Sequence, residues 1–471
     1  MRDRINKLSK DKVYSYHDRV KVLRERKIED TRDKAGYRPF MDGDDYGAIM
    51  PPEDFHFEPI PNHENGSWYG YEGWSRNFFK LMTEHPVFID PCDAFPNRWM
   101  TTMIWLKGGK GFNPDYPYDH LKPLQKLYGI VPGIGADAHF GGDYHLGLEG
   151  GWGGLLLKLG QYRAKNIGHD AFYDAHERTI LGIQNWMRRT VAAIDDAMEV
   201  EENPSLKDNL WRMREDTRFL IDHAPETLRQ ACQWIAIYNM ASRTYNRDGA
   251  GGQLDELLRP YYERDVKLNR ITREEARYYI ACLLLNDAHY YQVGGMDEHG
   301  NDLITDMSYL ILEAADWLDS SCNITVRVHE NMDMAFLRKG VEYLFKNKNG
   351  WPRFSGDQAL SEGFMRKGYP RELAVQRVAV GCNWMSLPGL EYTLNDCVKT
   401  NNARIFEVAL DEMMRAGEPS LDRLWTIFAK HTRRAVETTA EGIRFHLKHQ
   451  VHNEPELMLN LLSVGPVEKG M

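Results

Sequence analysis

The succession of amphipathic helices and a short β-branched strand between residues 270 and 416 constrains the fold of this chain more than any other feature. Apolar residues recur at helical spacing over 307–318, whereas isoleucine and valine alternate over 324–328 as in a half-buried strand. A further helix is predicted over about 334–345, and a Gly-Trp-Pro turn follows at 350–352. Helix, strand, helix and turn in this order predict an α/β protein with a buried sheet.

Two helix starts and one long helix can also be predicted. Thr272, with a glutamate three residues later, forms a capping box ahead of an apolar run that ends at Leu285. The next helix is predicted to begin at Asp302 or Thr305, and a long helix is predicted over about 394–416.

The composition changes towards the N-terminus. Residues 1–35 are dense in charge, which predicts an exposed helix or an arm on the surface. Residues 36–150 are rich in glycine, proline and aromatic residues, which predicts loops wrapped on a scaffold with short strands between them.

The charge and the cysteines argue against several classes of protein. The formal net charge of -10 argues against a nucleic-acid partner and gives no attraction to an anionic membrane. The first ten residues lack the apolar run of a secretory signal, and no stretch is apolar enough to span a membrane. The six cysteines are scattered without a Cys-x-x-Cys pair, which argues against zinc-ribbon and iron–sulfur sites. We therefore expect reduced thiols, no bound metal and a cytoplasmic location.

The segment 377–384 is the strongest candidate for chemistry. An apolar run leads into Gly381 and Cys382, and a Pro-Gly pair follows at 388–389. A strand that ends in a tight loop would hold the thiol of Cys382 at the rim of a cavity. Taken alone, a cysteine after an apolar run is more often a buried structural residue, and no adjacent histidine would make it a thiolate nucleophile.

From about residue 130 to 471 the chain resembles the pyruvate formate-lyase family of glycyl radical enzymes, segment by segment and in order. Gly381-Cys382 falls where this family has its thiyl cysteine. The other similar segments are Asp143-Tyr144, 226–233, 253–265, 271–276, the Gly-Gly-x-Asp-x-x-Gly-x-Asp loop at 294–302, 326–329 and 464–470.

The resemblance implies a ten-stranded α/β barrel, or most of one, surrounded by many helices. It divides the chain into a helical and loop-rich wrapping region, 1–130, and a barrel portion that carries the cysteine loop, 131–471. It also implies that a radical-SAM activase with a 4Fe–4S cluster installs a glycyl radical. That radical draws a hydrogen atom from Cys382, whose thiyl then attacks the substrate in a closed cavity. No cofactor is expected to bind this chain directly.

The chain departs from the family pattern at the glycine. The Arg-Val-x-Gly-Tyr motif of the family is missing between Cys382 and Met471, and the similar 366–369 precedes the cysteine and predicts a helix-ending turn. We therefore expect a split enzyme whose second subunit carries the glycyl radical loop. The two-chain unit could itself form a dimer. A truncated chain or a non-catalytic scaffold is the alternative.

A second departure concerns the proton-handling glutamate that many members have two residues after the cysteine. Here that position is Trp384, which cannot transfer protons but can pack on an apolar or aromatic substrate. This residue argues against a diol dehydratase or a choline lyase and favours C–C bond chemistry on an apolar group. The reaction expected is the making or breaking of a C–C bond, or of a C–heteroatom bond, on a small organic substrate, aromatic molecules included. A decarboxylase or dehydratase with an unusual acid or base stays open.

The resemblance gives one catalytic residue, Cys382, and a set of predicted substrate contacts. These contacts are Trp384, Asn383, His139, Asp143, His145 and Arg327. Each has an ordinary alternative: core packing for Trp384, a turn cap for Asn383, a hydrogen-bonded structural role for the histidines, and an ion pair with a neighbouring carboxylate for Arg327.

Overall fold

The computed structural model describes most of the chain between Lys12 and Met471. The described residues are 12–34, 47–49, 52, 54–99, 103, 119–132, 139–245, 251–287, 290–320, 322–381, 384–391, 398–417 and 419–471.

Helices make up most of the described residues. In chain order they are α1 Tyr16–Lys34, α2 Gly70–Glu84, α3 Lys122–Tyr128, α4 Tyr144–Arg163, α5 Asp170–Val200, α6 Pro204–Leu220, α7 Leu228–Tyr245, α8 Leu254–Lys267, α9 Arg273–Asn286, α10 Asp306–Leu318, α11 Met334–Asn347, α12 Asp357–Arg366, α13 Arg371–Ala374, α14 Asn402–Arg415, α15 Leu421–Asn453, α16 Leu457–Leu461 and α17 Pro466–Lys469. Within these residues, no helix has the length and apolarity needed to cross a membrane.

The strands are short, and they form one larger sheet and two small ones. They are β1 Val131–Pro132, β2 Gly252–Gln253, β3 Tyr291–Gly294, β4 Ile324–Val328, β5 Arg353–Gly356, β6 Val378–Ala379, β7 Met385–Ser386 and β8 Val398–Lys399. The larger sheet has the order β2-β3-β4-β5 with every pair parallel, and helices connect its strands. The predicted α/β class is therefore confirmed. Across the described residues the sheet stays open, so closure into a ten-stranded barrel is not seen in this sheet.

The strand predicted at 324–328 exists, but the prediction that it is half-buried is wrong. Its first four residues, including the polar Thr325 and Arg327, are all buried. A parallel sheet has connecting helices on its faces, so its strands are buried on both sides. This burial forces Arg327 to find its partners inside the protein.

The helix starts follow the sequence closely. The Thr272 hydroxyl accepts the Glu275 backbone N–H at 3.2 Å and opens α9. At the start of α10 the Thr305 backbone N–H donates to the Ser308 hydroxyl at 3.1 Å, which is one half of a capping box. Asp143 caps α4, as the resemblance implied. The predicted turn at 366–369 is confirmed, because α12 ends at Arg366 and Gly368 has a positive φ.

Three predictions for the periphery were incomplete or wrong. Helix α1 is not simply exposed, because Val20 and Leu23 are buried where it packs against α9. The loop-rich reading of 36–150 missed the amphipathic helix α2, which packs against α5. The long helix near 394–416 starts later than predicted, because Asn401 caps α14 and residues 398–399 form a strand.

The core centres on α7, which is buried along almost its whole length. The rings of Trp152 and Trp234 lie 5.1 Å apart between α4 and α7. This close approach depends on Gly147 of α4, because a Cβ atom at that position would overlap the Trp234 ring. The cysteines within the described residues, Cys92, Cys232, Cys282 and Cys322, are free and buried, as predicted for small apolar thiols.

We expect two glycine substitutions in α4 to change stability in opposite directions. Gly147→Ala should lower the free energy of unfolding by about 1–3 kcal/mol, because Trp234 must move to admit the methyl group. Gly160→Ala should raise it by up to about 1 kcal/mol, because a Cβ there meets no atom within 4 Å and alanine favours the helix. Urea unfolding of both variants checks this, and equal signs would contradict the packing described here.

Candidate active site

A tight hairpin surrounds the position of the candidate cysteine. β6 and β7 pair antiparallel, with Val378 opposite Ser386 and Ala379 opposite Met385. The Val380 backbone N–H donates to the Trp384 carbonyl at 3.1 Å and closes the hairpin. The predicted strand before the loop is therefore confirmed. Cys382 and Asn383 lie between these two residues in sequence but outside the described residues.

The side chain of Gln292 attaches this hairpin to the parallel sheet. Gln292 lies on β3 and is buried. Its amide nitrogen donates to the Arg377 carbonyl and to the Gln253 side-chain oxygen, both at 2.8 Å. Its amide oxygen accepts the Ala379 backbone N–H at 3.1 Å. Both N–H groups of the Gln292 amide therefore donate and its oxygen accepts, so no polar group of this buried side chain is left without a hydrogen bond.

An ion group beneath the hairpin joins β4 and the end of β5 to the residue before β6. Asp357, which follows β5 directly, receives Arg327 in a bidentate pair at 2.8 and 3.0 Å. Arg377, directly before β6, donates to the same carboxylate at 2.5 Å. All three side chains are buried. Burial acts to raise the pKa of Asp357, but the two guanidinium groups outweigh it and hold the pKa below its ordinary value.

The hydrogen bonds of Arg327 continue towards Gln292. Its third nitrogen donates to the Gln253 side-chain oxygen at 3.1 Å, the same atom that Gln292 contacts. The hairpin is therefore connected to Asp357 by two routes, one through Arg377 and one through Gln292, Gln253 and Arg327. In a low-dielectric interior such a connected network is strong only when every member has its partner.

The loop before α4 covers the hairpin from the other side. The Gly389 backbone N–H donates to the Gly141 carbonyl at 2.8 Å, and a Cβ on Gly141 would lie 2.7 Å from the Val378 side chain. The C-terminal segment also joins here, because Val464 N–H donates to Gly389 and Asp143 N–H donates to Leu462. Glycine at 141 thus permits the close approach of the loop and β6.

His139 and Trp384 both lie beside Gly381, the residue before the candidate cysteine. A Cβ atom on Gly381 would be 2.7 Å from the Trp384 ring and 2.9 Å from the His139 ring. The centroids of the two rings are 6.1 Å apart, and the centroids of His139 and Tyr290 are 6.0 Å apart. His139 is buried and Trp384 half-buried, so the two rings pack closely around Gly381.

Only two of the predicted substrate contacts lie close together in the structure. His139 and Trp384 meet beside Gly381, and Arg327 lies beneath the hairpin in the ion pair that was its alternative. Asp143 accepts the His145 backbone N–H at 3.1 Å, and burial raises the pKa of the Asp143 carboxyl. The side chain of His145 is exposed. The substrate-binding role of each residue stays a prediction.

Sequence reasoning missed Gln292 and Asp357 and gave no role to Gln253. A glutamine inside an apolar strand, next to the arginine-bearing strand, was the available signal for a buried polar network. Asp357 carried no such signal, since an aspartate at a helix start is common. Within the described residues there is no group of three or more histidine, cysteine or acidic side chains that could hold a metal ion.

A family model described as pyruvate formate lyase-like matches residues 125–471. The chain belongs to the pyruvate formate lyase-like family. The segments that resemble this family therefore carry its fold, and the hairpin at 378–386 lies within the matched part.

Two curated relatives span different chemistries. The (2S)-3-sulfopropanediol dehydratase of Klebsiella oxytoca is 26% identical over 313 residues, which are 58% of this chain and 37% of that protein. The 4-hydroxyphenylacetate decarboxylase glycyl radical subunit of Clostridioides difficile is 25% identical over 251 residues, 46% of this chain and 27% of that protein. The chain thus matches little more than a third of the length of the first relative and about a quarter of the length of the second.

Nearly the whole chain superposes on a solved structure of similar fold. The glycerol-bound form of the B12-independent glycerol dehydratase from Clostridium butyricum superposes with a TM-score of 0.77 at 16% identity. The superposition covers 98% of this chain and 67% of that one. At this identity the likeness shows the fold alone.

We expect Asp357→Asn to lower the free energy of unfolding by about 3–5 kcal/mol, because it leaves two buried guanidinium groups without their carboxylate. Asp316→Asn, which removes the more exposed pair with Lys346, should cost less than about 1 kcal/mol. Urea unfolding at neutral pH measures both.

The same pair predicts a pH dependence. The folded pKa of Asp357 lies below its unfolded value, so its stabilising contribution is complete above about pH 4 and is lost as the pH falls through the folded pKa. The difference in stability between the wild type and Asp357→Asn should therefore shrink only in acid. A constant difference down to the acid transition would contradict this assignment.

Proposed function

We propose that this chain is the large catalytic subunit of a glycyl radical enzyme, in which Cys382 forms a thiyl radical. The observation that carries the proposal is the hairpin between Val380 and Trp384, which a buried network attaches to the sheet in a chain of this family. A hydrogen atom moves from the Cys382 thiol to the glycyl radical, which becomes glycine. The thiyl then takes a hydrogen atom from a substrate carbon and returns it after rearrangement. A hydrogen atom, not a proton, leaves the thiol, so Cys382 needs no adjacent base.

The radical has to come from outside the segment that this chain provides after Cys382, because no Arg-Val-x-Gly-Tyr motif occurs there. We assign the glycine to a second polypeptide and its activation to a radical-SAM enzyme with an iron–sulfur cluster. The name of the decarboxylase relative, a glycyl radical subunit, fits an enzyme of several chains.

For the reaction we favour cleavage of a C–O or other C–heteroatom bond in a small hydroxylated substrate. The dehydratase name of the sulfopropanediol relative supports this class. Elimination needs a group that transfers a proton, and Trp384 cannot do so. His139 is a titratable side chain beside Gly381, so we assign it this role.

A second candidate is C–C bond chemistry on an aromatic substrate. The indole of Trp384 next to the loop favours it, because an aromatic ring can stack on a planar substrate. The decarboxylase relative carries an aromatic substrate in its name. A non-catalytic scaffold that binds the same partner is the remaining alternative.

The proposal is tested on the complex isolated without oxygen from the source organism. Intact-mass analysis should find a stoichiometric partner with a glycyl radical motif near its C-terminus, and activation should give a glycyl radical signal in electron paramagnetic resonance. Recovery of one longer chain that carries the motif itself would overturn the two-subunit arrangement. Absence of any radical signal from the activated complex would favour the scaffold.

Cys382→Ala should abolish turnover, by at least about a thousandfold, because the only proposed route to the substrate radical is lost. The glycyl radical signal and partner binding should persist. Cys322→Ala is the matched control, since this thiol is buried and burial raises its pKa to about 12. Turnover that survives Cys382→Ala would remove the thiyl from the mechanism.

His139→Gln should lower kcat by about a hundredfold or more while the radical signal persists, because the amide keeps hydrogen bonds but transfers no proton. His223→Gln, at an exposed position after α6, should leave kcat unchanged. Analysis of the product distinguishes the two candidate reactions. A product that has lost carbon dioxide or gained a C–C bond, and that keeps its heteroatoms, would favour C–C bond chemistry over C–heteroatom cleavage. An unchanged kcat in His139→Gln would exclude proton transfer by this residue.

A further inference from the structure

The contacts of Gln292 reproduce those of a strand backbone. In a parallel pair, one residue donates its N–H to the carbonyl of the residue before its neighbour and accepts the N–H of the residue after it. The Gln292 amide donates to the carbonyl of Arg377 and accepts the N–H of Ala379, the residues on either side of Val378. The side chain therefore acts towards β6 as a peptide group of an additional strand.

These side-chain contacts are needed because, among the described residues, β6 shares no ladder with the parallel sheet. Its ladder partner is β7, which leaves the other edge of β6 facing β3. A buried backbone N–H and carbonyl cannot be left unpaired without a cost comparable to a lost hydrogen bond. Gln292 satisfies both groups from a strand whose position the sheet already fixes.

We propose that Gln292 is a positioning residue, whose amide sets the height of the cysteine-bearing hairpin above the sheet. It touches neither Cys382 nor the substrate in this assignment. It acts through β6, whose last residue, Ala379, lies three positions before Cys382. The relevance of this position to catalysis rests on the proposed function of Cys382, whereas the attachment itself does not.

The neighbours of Gln292 explain why the residue must be an amide. Gln253 presents its side-chain oxygen to Gln292, and Arg327 holds that oxygen in place. Gln292 must therefore donate towards both Gln253 and Arg377 and still accept from Ala379. A carboxylate of the same shape can accept but cannot donate, and a leucine can do neither.

The test is hydrogen–deuterium exchange of the full chain as Gln292→Glu, followed peptide by peptide. At pH 8 the carboxylate faces the Arg377 carbonyl without a proton, so protection of the amides at 378–386 should fall by about tenfold or more. Protection of α7 should stay as in the wild type, because its hydrogen bonds are within the helix.

The pH dependence of this protection separates the loss of a hydrogen bond from a general loss of structure, because only the former is restored when the introduced acid is protonated. Burial and the Asp357 carboxylate raise the pKa of a glutamic acid at position 292, whereas Arg327 and Arg377 lower it. The protonated acid can donate to the Arg377 carbonyl while its other oxygen accepts from Ala379. Protection of 378–386 in Gln292→Glu, corrected for the intrinsic exchange rate, should therefore recover towards the wild-type value once the pH falls below the pKa of the introduced acid. The wild type should show no such change.

Gln184→Glu provides the matched control, because this buried glutamine on α5 donates in the same way to the Ile221 carbonyl, at 2.7 Å. It should leave protection of 378–386 unchanged. Unchanged protection in Gln292→Glu at pH 8, loss without recovery in acid, or the same loss in Gln184→Glu would each overturn the positioning role. The experiment uses no partner, activase or substrate, so a failure of the radical chemistry leaves its result untouched, and the reverse also holds.

Discussion

The buried carboxylate of Asp357, shared by Arg327 and Arg377, is the interaction on which the arrangement of the site depends. Arg327 lies on β4, Asp357 lies at the start of the helix after β5, and Arg377 is the residue before the hairpin. Because an unpaired charge in this interior would be very costly, these elements cannot shift independently. The end of the sheet and the beginning of the hairpin are therefore fixed together.

The hairpin is attached to this frame mainly by side chains instead of a strand ladder. Gln292 and Arg377 supply the polar contacts below it, and the glycines at 141 and 389 let the covering loop approach its backbone. The described residues of the hairpin therefore lie between the sheet and the covering loop. The same arrangement makes the position of β6 sensitive to a few buried groups.

Membership of the pyruvate formate lyase-like family gives the scaffold. Trp384, which cannot transfer a proton, and the buried His139 both lie beside Gly381. The superposition at 16% identity shows the fold, and a shared fold does not by itself set the reaction. Under the proposed function, the choice between elimination and carbon–carbon chemistry depends on these two rings.

The sequence by itself determined the α/β class, the capped start of α9, the strand before the cysteine and the turn after α12, because each depends on neighbours within a few residues. Only the tertiary structure decided that Arg327 pairs with Asp357, that Gln292 bonds β6, and that His139 meets Trp384 across more than two hundred residues. Such contacts depend on which strands lie side by side and on burial from both faces, and local patterns do not encode either. For the same reason the predictions of a half-buried strand at 324–328 and of an exposed N-terminal helix were wrong. The alternation of residues and the density of charge indicate the exposure of an isolated element, whereas the neighbouring elements determine which of its faces are buried.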